Sequence, residues 1–401
     1  MKEKTTAEKQ IRILFLLSRF LDGGIDTVLT DYLRHLARNS SYRLTLAIGT
    51  AMGELEVFSK DIPDNVRVVH MVEADWLTRW RRRKIGHRLP FWAKCYDELC
   101  LSPIRRWLVG RELRRLAAQH DVVIDFDCCF YSFLKHIDIR KVAWYHFSFE
   151  QSMRQNVRRT RRIGRALESY DKVVCISEAM RAEGEKLFPQ LKGKLCVVYN
   201  AKNREDILAR AQETVDDERI RQRYILSVER LEESQKDITT LLKAYQLLRE
   251  NYQHTEKLYL LGKGNSEQEL RLLADRLGLS DSVEFLGFHA NPFPWILHSS
   301  LLVHSAKFEG LPTILIEGLM LDKLMVATDC PTGPREILND GKAGLLVPVG
   351  DAAALASSMH EALTDTATQQ SLLRQVRSHR ERFLFTHTEV LFKQLAEGLL
   401  Q

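Results

Sequence analysis

The strongest constraint on this chain is an alternation along most of its length. Short, β-branched apolar runs are separated by stretches with helical periodicity. Parallel strands buried on both faces read as continuous apolar runs, and each needs a long crossover, usually a helix, to reach its neighbour. The pattern predicts a doubly wound α/β architecture. In the first half the expected strands are Ile11–Leu17, Arg43–Gly49, Val66–Val72, Asp121–Phe126, Lys141–His146, Lys172–Ser177 and Leu195–Tyr199. A second series follows at Arg223–Val228, Lys257–Gly262, Ser282–Gly287, Ser300–His304, Leu324–Thr328 and Ala343–Val347. Two series predict two similar domains, and 401 residues exceed one ordinary core. The hinge is expected in Tyr199-Asn-Ala-Lys-Asn-Arg-Glu205 and the charged stretch Gln212–Arg223.

Composition excludes several classes. With 45% hydrophobic and 28% charged residues the chain reads as soluble and globular, and no apolar run approaches the length of a membrane span. Ile11–Leu17 follows Lys2, Lys4 and Lys9 as a signal peptide would, but it is short and enters Ser-Arg-Phe-Leu-Asp-Gly-Gly without a small-residue cleavage site. It is read as the first strand. The seven cysteines form no Cys-x-x-Cys, and Cys128 and Cys129 are adjacent, so neither a zinc knuckle nor a disulfide framework is indicated. A reducing cytosol fits.

The chemistry is expected around Ser305-Ala-Lys-Phe-Glu-Gly-Leu-Pro-Thr-Ile-Leu-Ile-Glu317, which follows the strand Ser300–His304. Pro312 suits a first helical position, Gly310 lets backbone approach a ligand, and the first-turn amides form a ready anion site. Glu317 lies eight residues beyond Glu309, about two helical turns on, so both carboxylates can address one elongated ligand. In isolation the same run reads as a helix with acidic residues near its N-terminus.

The Glu309-x7-Glu317 spacing with Gly-Leu-Pro inside it resembles the signature of retaining glycosyltransferases of family 4, which have the GT-B fold. The resemblance implies that Glu309 contacts the donor sugar, that the backbone of Gly310, Leu311, Pro312 and Thr313 lines the diphosphate and holds it through the N–H groups it has, Pro312 offering none, and that Glu317 binds the ribose hydroxyls. Arg230 and Lys236, in Glu-Arg-Leu-Glu-Glu-Ser-Gln-Lys-Asp237, are similar to the family element that neutralises the leaving diphosphate. Glu229 departs from the pattern, where Gly is usual, and is expected to point away from the phosphates. Leu260-Leu-Gly-Lys-Gly264 resembles the turn flanking the nucleotide, through Gly262, and the backbone at Phe288 would hold the base. Pro331-Thr-Gly-Pro-Arg-Glu336 and Gly344-Leu-Leu-Val-Pro348 complete an ordered match over roughly residues 224 to 350.

The first half matches more loosely. Asp22-Gly23-Gly24 sits at a strand-to-helix turn, lacks the Gly-x-Gly-x-x-Gly of a dinucleotide site, and resembles the family's N-terminal glycine loop. His146, at the end of a strand, resembles the histidine that binds the donor sugar from the opposite domain. Asp125 and Asp127 also end a strand; helix capping suffices for them.

From Trp76 to Arg115, Trp76, Trp80, Trp92 and Trp107 are interleaved with twelve arginines and lysines, and Arg154–Arg165 adds a second basic run. Aromatic and cationic residues together fit an anionic membrane surface; the alternative is a solvated helical face with buried tryptophans. Nucleic acid is not expected as a partner, because no binding motif accompanies the charge. The resulting expectation is a GT-B fold with an acceptor domain at 1–203, a nucleotide-sugar domain at 204–380 and a C-terminal helix at 381–401 that returns to the first domain. The activity implied by the resemblance is retaining transfer without metal or other cofactor; the Asp-x-Asp at Asp125-Phe-Asp127 is read as helix capping. The donor would be a UDP-hexose or UDP-N-acetylhexosamine, with GDP open. The acceptor would be a lipid-linked saccharide or lipopolysaccharide, at the inner face of the cytoplasmic membrane. The alternatives are a non-catalytic sugar-nucleotide-binding protein and another GT-B enzyme, such as a nucleotide-sugar epimerase or a phosphorylase.

Overall fold

The computed structural model describes residues 10–21, 23–85 and 88–399. Lys2, Lys4 and Lys9, Asp22 of the glycine turn and Leu400 lie outside the described residues. All thirteen expected strands are present, β1 to β13 in chain order, with each end matching or shifted by one or two residues. β1 (Ile11–Leu17), β2 (Tyr42–Ile48), β3 (Arg67–His70), β4 (Val122–Asp125), β5 (Arg140–Tyr145), β6 (Lys172–Cys175) and β7 (Leu195–Val197) form one parallel sheet in the order β3-β2-β1-β4-β5-β6-β7. β8 (Tyr224–Val228), β9 (Lys257–Leu261), β10 (Val283–Gly287), β11 (Leu301–His304), β12 (Met325–Thr328) and β13 (Leu345–Val347) form a second, in the order β10-β9-β8-β11-β12-β13. Each order reverses once, between β1 and β4 and between β8 and β11. Open α/β sheets bind ligands beyond the strand carboxyl ends at such a reversal.

The continuous apolar runs are explained by burial. Ile13, Leu14, Phe15 and Leu16 of β1 are fully enclosed by helices on both faces of the sheet, as are Leu301 and Leu302 of β11. The helix Gly24–Leu36 packs Val28, Leu29, Tyr32, Leu33 and Leu36 onto the first sheet. The chain then crosses between domains twice. The outward crossing runs through Lys202, and the return crossing at Phe383–Leu384 lies beside it, with the Lys202 amide donating to the Phe383 carbonyl at 2.9 Å.

Beyond the return crossing, the helix Phe385–Gly398 lies on the first domain. Phe392 sits in an aromatic nest of Tyr32, Tyr42 and Trp144, at 6.0 to 6.5 Å between ring centres, and Glu389 pairs with His35 at 2.9 Å.

The Trp/Arg segment forms three helices, Asp75–Arg83, Phe91–Tyr96 and Ser102–Ala117, joined by a wider turn at Asp97–Leu101. Its aromatic side chains face outward. Phe91 is 83% exposed, Trp92 63%, Trp107 60% and Trp76 55%, and only Trp80 is partly covered, edge-on against Trp92. The buried-tryptophan alternative thus holds for Trp80 alone. Arg105 does not belong to the basic surface. It is buried, with Nη1 on the Leu77 carbonyl at 2.7 Å and on Asp97 Oδ1 at 2.6 Å, and it ties the first helix to the third. Because Phe392 is 1% exposed, Phe392→Ala should remove about 3–5 kcal/mol. The urea midpoint of the full chain measures this.

Candidate active site in the cleft between the two sheets

Every expected site residue lies beyond the carboxyl end of a strand or on the helix that follows one. Gly23 and Gly24 follow β1 and open the helix Gly24–Leu36; the Gly23 amide donates to Asp26 Oδ2 at 2.8 Å, which fixes the turn. A Cβ at Gly24 would meet no atom of the described residues within 4 Å, and Gly24 lines the cleft. Pro312 is the residue before the helix Thr313–Met320 rather than its first, one place earlier than expected. From this helix Thr313 and Glu317 face the same cleft as Gly23, Gly24 and Phe288. The cleft holds about 1090 Å³ of empty space, mouth included.

At the inner end of this cleft a lysine joins the domains. Lys202 is buried and pairs at 2.8 Å with both Asp31, from the first domain, and Glu317, from the second. Burial alone would lower its pKa, but the two carboxylates outweigh it and raise it above the ordinary lysine value. The sequence marked the hinge but gave no sign that its lysine would reach both domains.

A second neighbourhood lies behind the Glu309 turn. Glu309 is largely covered, its side chain 10% exposed; its Oε1 takes Lys236 Nζ at 2.5 Å and lies 3.4 Å from His304 Nε2. Burial pushes the Glu309 pKa up, yet Lys236 and His304 more than reverse this and hold it at about 2. Arg230 is exposed and bonds Gln235 Oε1 at 3.3 Å through Nη2. Glu229 turns inward, accepting from Ser227 Oγ at 2.8 Å on Oε1, with Oε2 3.3 Å from His304 Nδ1 and 3.9 Å from Lys236. Its carboxylate therefore stands behind Lys236. His304 was recognised in the sequence only as the end of a strand.

Two glycines have a different cause from the one expected. A Cβ at Gly310 would fall 2.2 Å from the His146 carbonyl of the opposite domain, and one at Gly262 would fall 1.9 Å from the Glu229 carbonyl. In each case glycine admits neighbouring backbone rather than a ligand. The first contact sets His146 beside the Glu309–Gly310 turn. His146 itself is buried and neutral, its pKa pushed down to about 4 by desolvation despite a backbone hydrogen bond at Phe126. Its Nε2 has no hydrogen-bond partner among the described residues. Asp125 and Asp127 brace their own loop: Asp125 accepts from the Cys129 and Phe130 amides and from Tyr170 Oη, and Asp127 accepts from the Ser18 amide.

Two family models match successive parts of the chain: Glycosyltransferase Family 4 over residues 22–205 and Glycosyl transferases group 1 over residues 210–379. The chain belongs with the family 4-like GT-B glycosyltransferases. The Anabaena HepE structure in complex with UDP and glucose superposes with a TM-score of 0.72 at 17% identity, covering 97% of this chain and all of that one. WaaG, a glycosyltransferase involved in lipopolysaccharide biosynthesis, gives 0.67 at 14% identity, covering 95% and 98%. Among curated proteins, the Campylobacter jejuni N-acetylgalactosamine-N,N'-diacetylbacillosaminyl-diphospho-undecaprenol 4-alpha-N-acetylgalactosaminyltransferase is 30% identical over 187 residues, 47% of this chain and 49% of that protein. The Rhizobium meliloti lipopolysaccharide core biosynthesis glycosyltransferase LpsE is 30% identical over 115 residues, 29% of this chain and 34% of that protein. The match thus spans about half or less of the length of these two curated relatives.

The low pKa of Glu309 makes a directional statement about stability. Its folded value lies below its ordinary one, so its contribution is present above about pH 4.5 and is lost as pH falls towards 2. Glu309→Gln should therefore be less stable than wild type at pH 7, and the gap between their urea midpoints should narrow on acidification from pH 5 towards pH 3.

Proposed function

We propose that this chain transfers a glycosyl group from a nucleotide-sugar, a UDP-hexose or UDP-N-acetylhexosamine, to a lipid-linked or lipopolysaccharide-type saccharide, with retention and without a metal. The observation that carries this is the convergence of Gly23, Gly24, Phe288, Thr313 and Glu317 on one interdomain cleft. The Glu309, Lys236 and Arg230 neighbourhood adjoins it along the segment from Glu309 to Glu317. The relatives named above support the acceptor class.

In this reading the base lies toward Phe288, the ribose hydroxyls meet Glu317, and the diphosphate meets the amides before and within the first turn of Thr313–Met320. Arg230 and Lys236 offset the charge that develops as the nucleoside diphosphate departs, the role a divalent cation would otherwise fill. The bond from the sugar C1 to the diphosphate oxygen breaks and leaves an oxocarbenium-like centre. The acceptor oxygen bonds to C1 on the same face, and its proton passes to the departing phosphate oxygen. Glu309 orients sugar hydroxyls through Oε2, whose only hydrogen bond among the described residues is a long one of 3.4 Å from Gln235. The unpartnered Nε2 of neutral His146 is free to bond the sugar from the other domain.

The exposed face of Phe91, Trp92, Trp107 and Leu99, with Arg106, Arg111, Lys94 and Arg114 beside it, would rest on anionic lipid; the exposed arginines from Arg154 to Arg165 add charge. No helix among the described residues is long and apolar enough to cross a membrane. Docking at the inner face of the cytoplasmic membrane would bring a lipid-borne acceptor to the cleft.

Purified protein should turn over one member of a UDP- and GDP-sugar panel in EDTA. Lys236→Ala should reduce kcat by about 10²-fold or more. Glu317→Ala should raise the donor KM by about 10- to 100-fold, the loss of a charge-assisted hydrogen bond. Failure of every donor to bind would overturn the reading, and EDTA-sensitive turnover would overturn its metal independence. Separately, Phe91→Ser/Trp92→Ser should abolish co-sedimentation with anionic vesicles while leaving donor hydrolysis unchanged; retained sedimentation would remove the membrane assignment.

A further inference from the structure

We propose that His304 acts as a buried imidazolium that anchors Glu309 while Lys236 turns toward the donor diphosphate, and that Glu229 serves to keep this ring charged. The inference rests on the transferase reading for its catalytic consequence, but its physical core stands on geometry alone. His304 ends β11 and is 1% exposed. Its Nδ1 lies 3.3 Å from Glu229 Oε2 and its Nε2 lies 3.4 Å from Glu309 Oε1. Each ring nitrogen thus lies within ion-pair distance of a carboxylate oxygen, while Nε2 and Glu229 Oε2 are buried and make no hydrogen bond among the described residues, so charge rather than a formed hydrogen bond links them. A neutral imidazole has a single N–H, so either tautomer would set a bare lone pair against an anion. Only the doubly protonated ring meets both.

The surrounding charges agree. Burial lowers the His304 pKa and Lys236 opposes the charge, but Glu229 and Glu309 outweigh them and the net shift is upward. Glu229 on the β8 side, Lys236 on the following turn and Glu309 beyond β11 are the charged groups that face the ring. Arg230 acts on Lys236 from further out, and Cys330 stands beside Glu309. With His304 protonated, two buried anions are balanced by two cations.

The second cation matters because the first has another role. Lys236 Nζ holds the same Glu309 oxygen that His304 approaches. Drawn toward an incoming diphosphate, Lys236 would leave Glu309 without its ammonium partner, and an uncompensated charge in such surroundings is strongly unfavourable. Glu309 would then follow the lysine or take a proton. His304 keeps Oε1 in place, so Oε2 stays aimed for the sugar. This also accounts for Glu229 at a position where glycine is usual: its charge is directed to the ring and away from the phosphates. Glu229 and His304 are positioning residues, acting through Glu309.

Nitrogen-15 NMR of the histidine rings, assigned by His304→Leu, should show two ring N–H protons on His304 at pH 7 in the unliganded protein. This readout needs no turnover, so it separates the inference from the assignment of activity. A single neutral tautomer would overturn the proposal. In the kinetic arm, wild-type kcat at saturating donor should fall as pH rises through the raised His304 pKa, and Glu229→Gln should move that fall to lower pH. His304→Leu should lower kcat tenfold or more with UDP affinity within threefold of wild type. On that background Glu229→Gln should no longer move the pH profile. Wild-type kcat in His304→Leu, or an unmoved profile in Glu229→Gln, would also overturn it. Absence of donor turnover in wild type, with two N–H protons still present on His304, would instead remove the transferase reading.

Discussion

The structure depends on one buried ammonium. Lys202 stands where the chain first leaves the amino-terminal domain, and its charge is divided between Asp31 on that side and Glu317 on the other. A lysine without counter-charge at this depth would lose its proton or open the interface to water. With two carboxylates it remains charged and holds the domains in register. Glu317 therefore has a partner within the protein, and it faces the cleft as a carboxylate already oriented.

Much of this arrangement was legible in the sequence, for physical reasons. Parallel sheets covered on both faces cannot disguise themselves: β1 and β11 must be continuous apolar runs, and the segments between them must be long enough to cross back. Strand existence followed from this, whereas strand ends did not, because the last residue of a parallel strand is decided by its neighbour's length. Pro312 shows the limit. Its ring fits either the first helical position or the one before, and only the observed helix start distinguishes them.

The electrostatics were less legible. Local spacing brings Glu309 and Glu317 onto one segment, but Lys202 is 115 residues from Glu317, and Glu229 is 75 residues from His304. Pairings across such distances follow from the stacking of β8 beside β11 and from the two chain crossings, which no window of sequence displays. The same holds for Gly310 and Gly262. A glycine in a turn before a helix suggests a ligand, and the actual occupant of the missing Cβ is another loop's carbonyl. Arg105 is the converse, a cation in a basic run that the fold withdraws to join two helices.

The paired crossings at Lys202 and Leu384 have a mechanical meaning. Two covalent links spaced apart would resist both sliding and turning of one body against the other. Here they lie side by side and are joined by a backbone hydrogen bond, so they act as the spine of a book. Sliding is opposed, while rotation about the line through the spine remains soft. The free edges of the covers are the loops at the strand carboxyl ends, and a small angle at the spine becomes a wide gap there. A molecule much bulkier than the mouth of the cleft could then enter from the side, without threading through it.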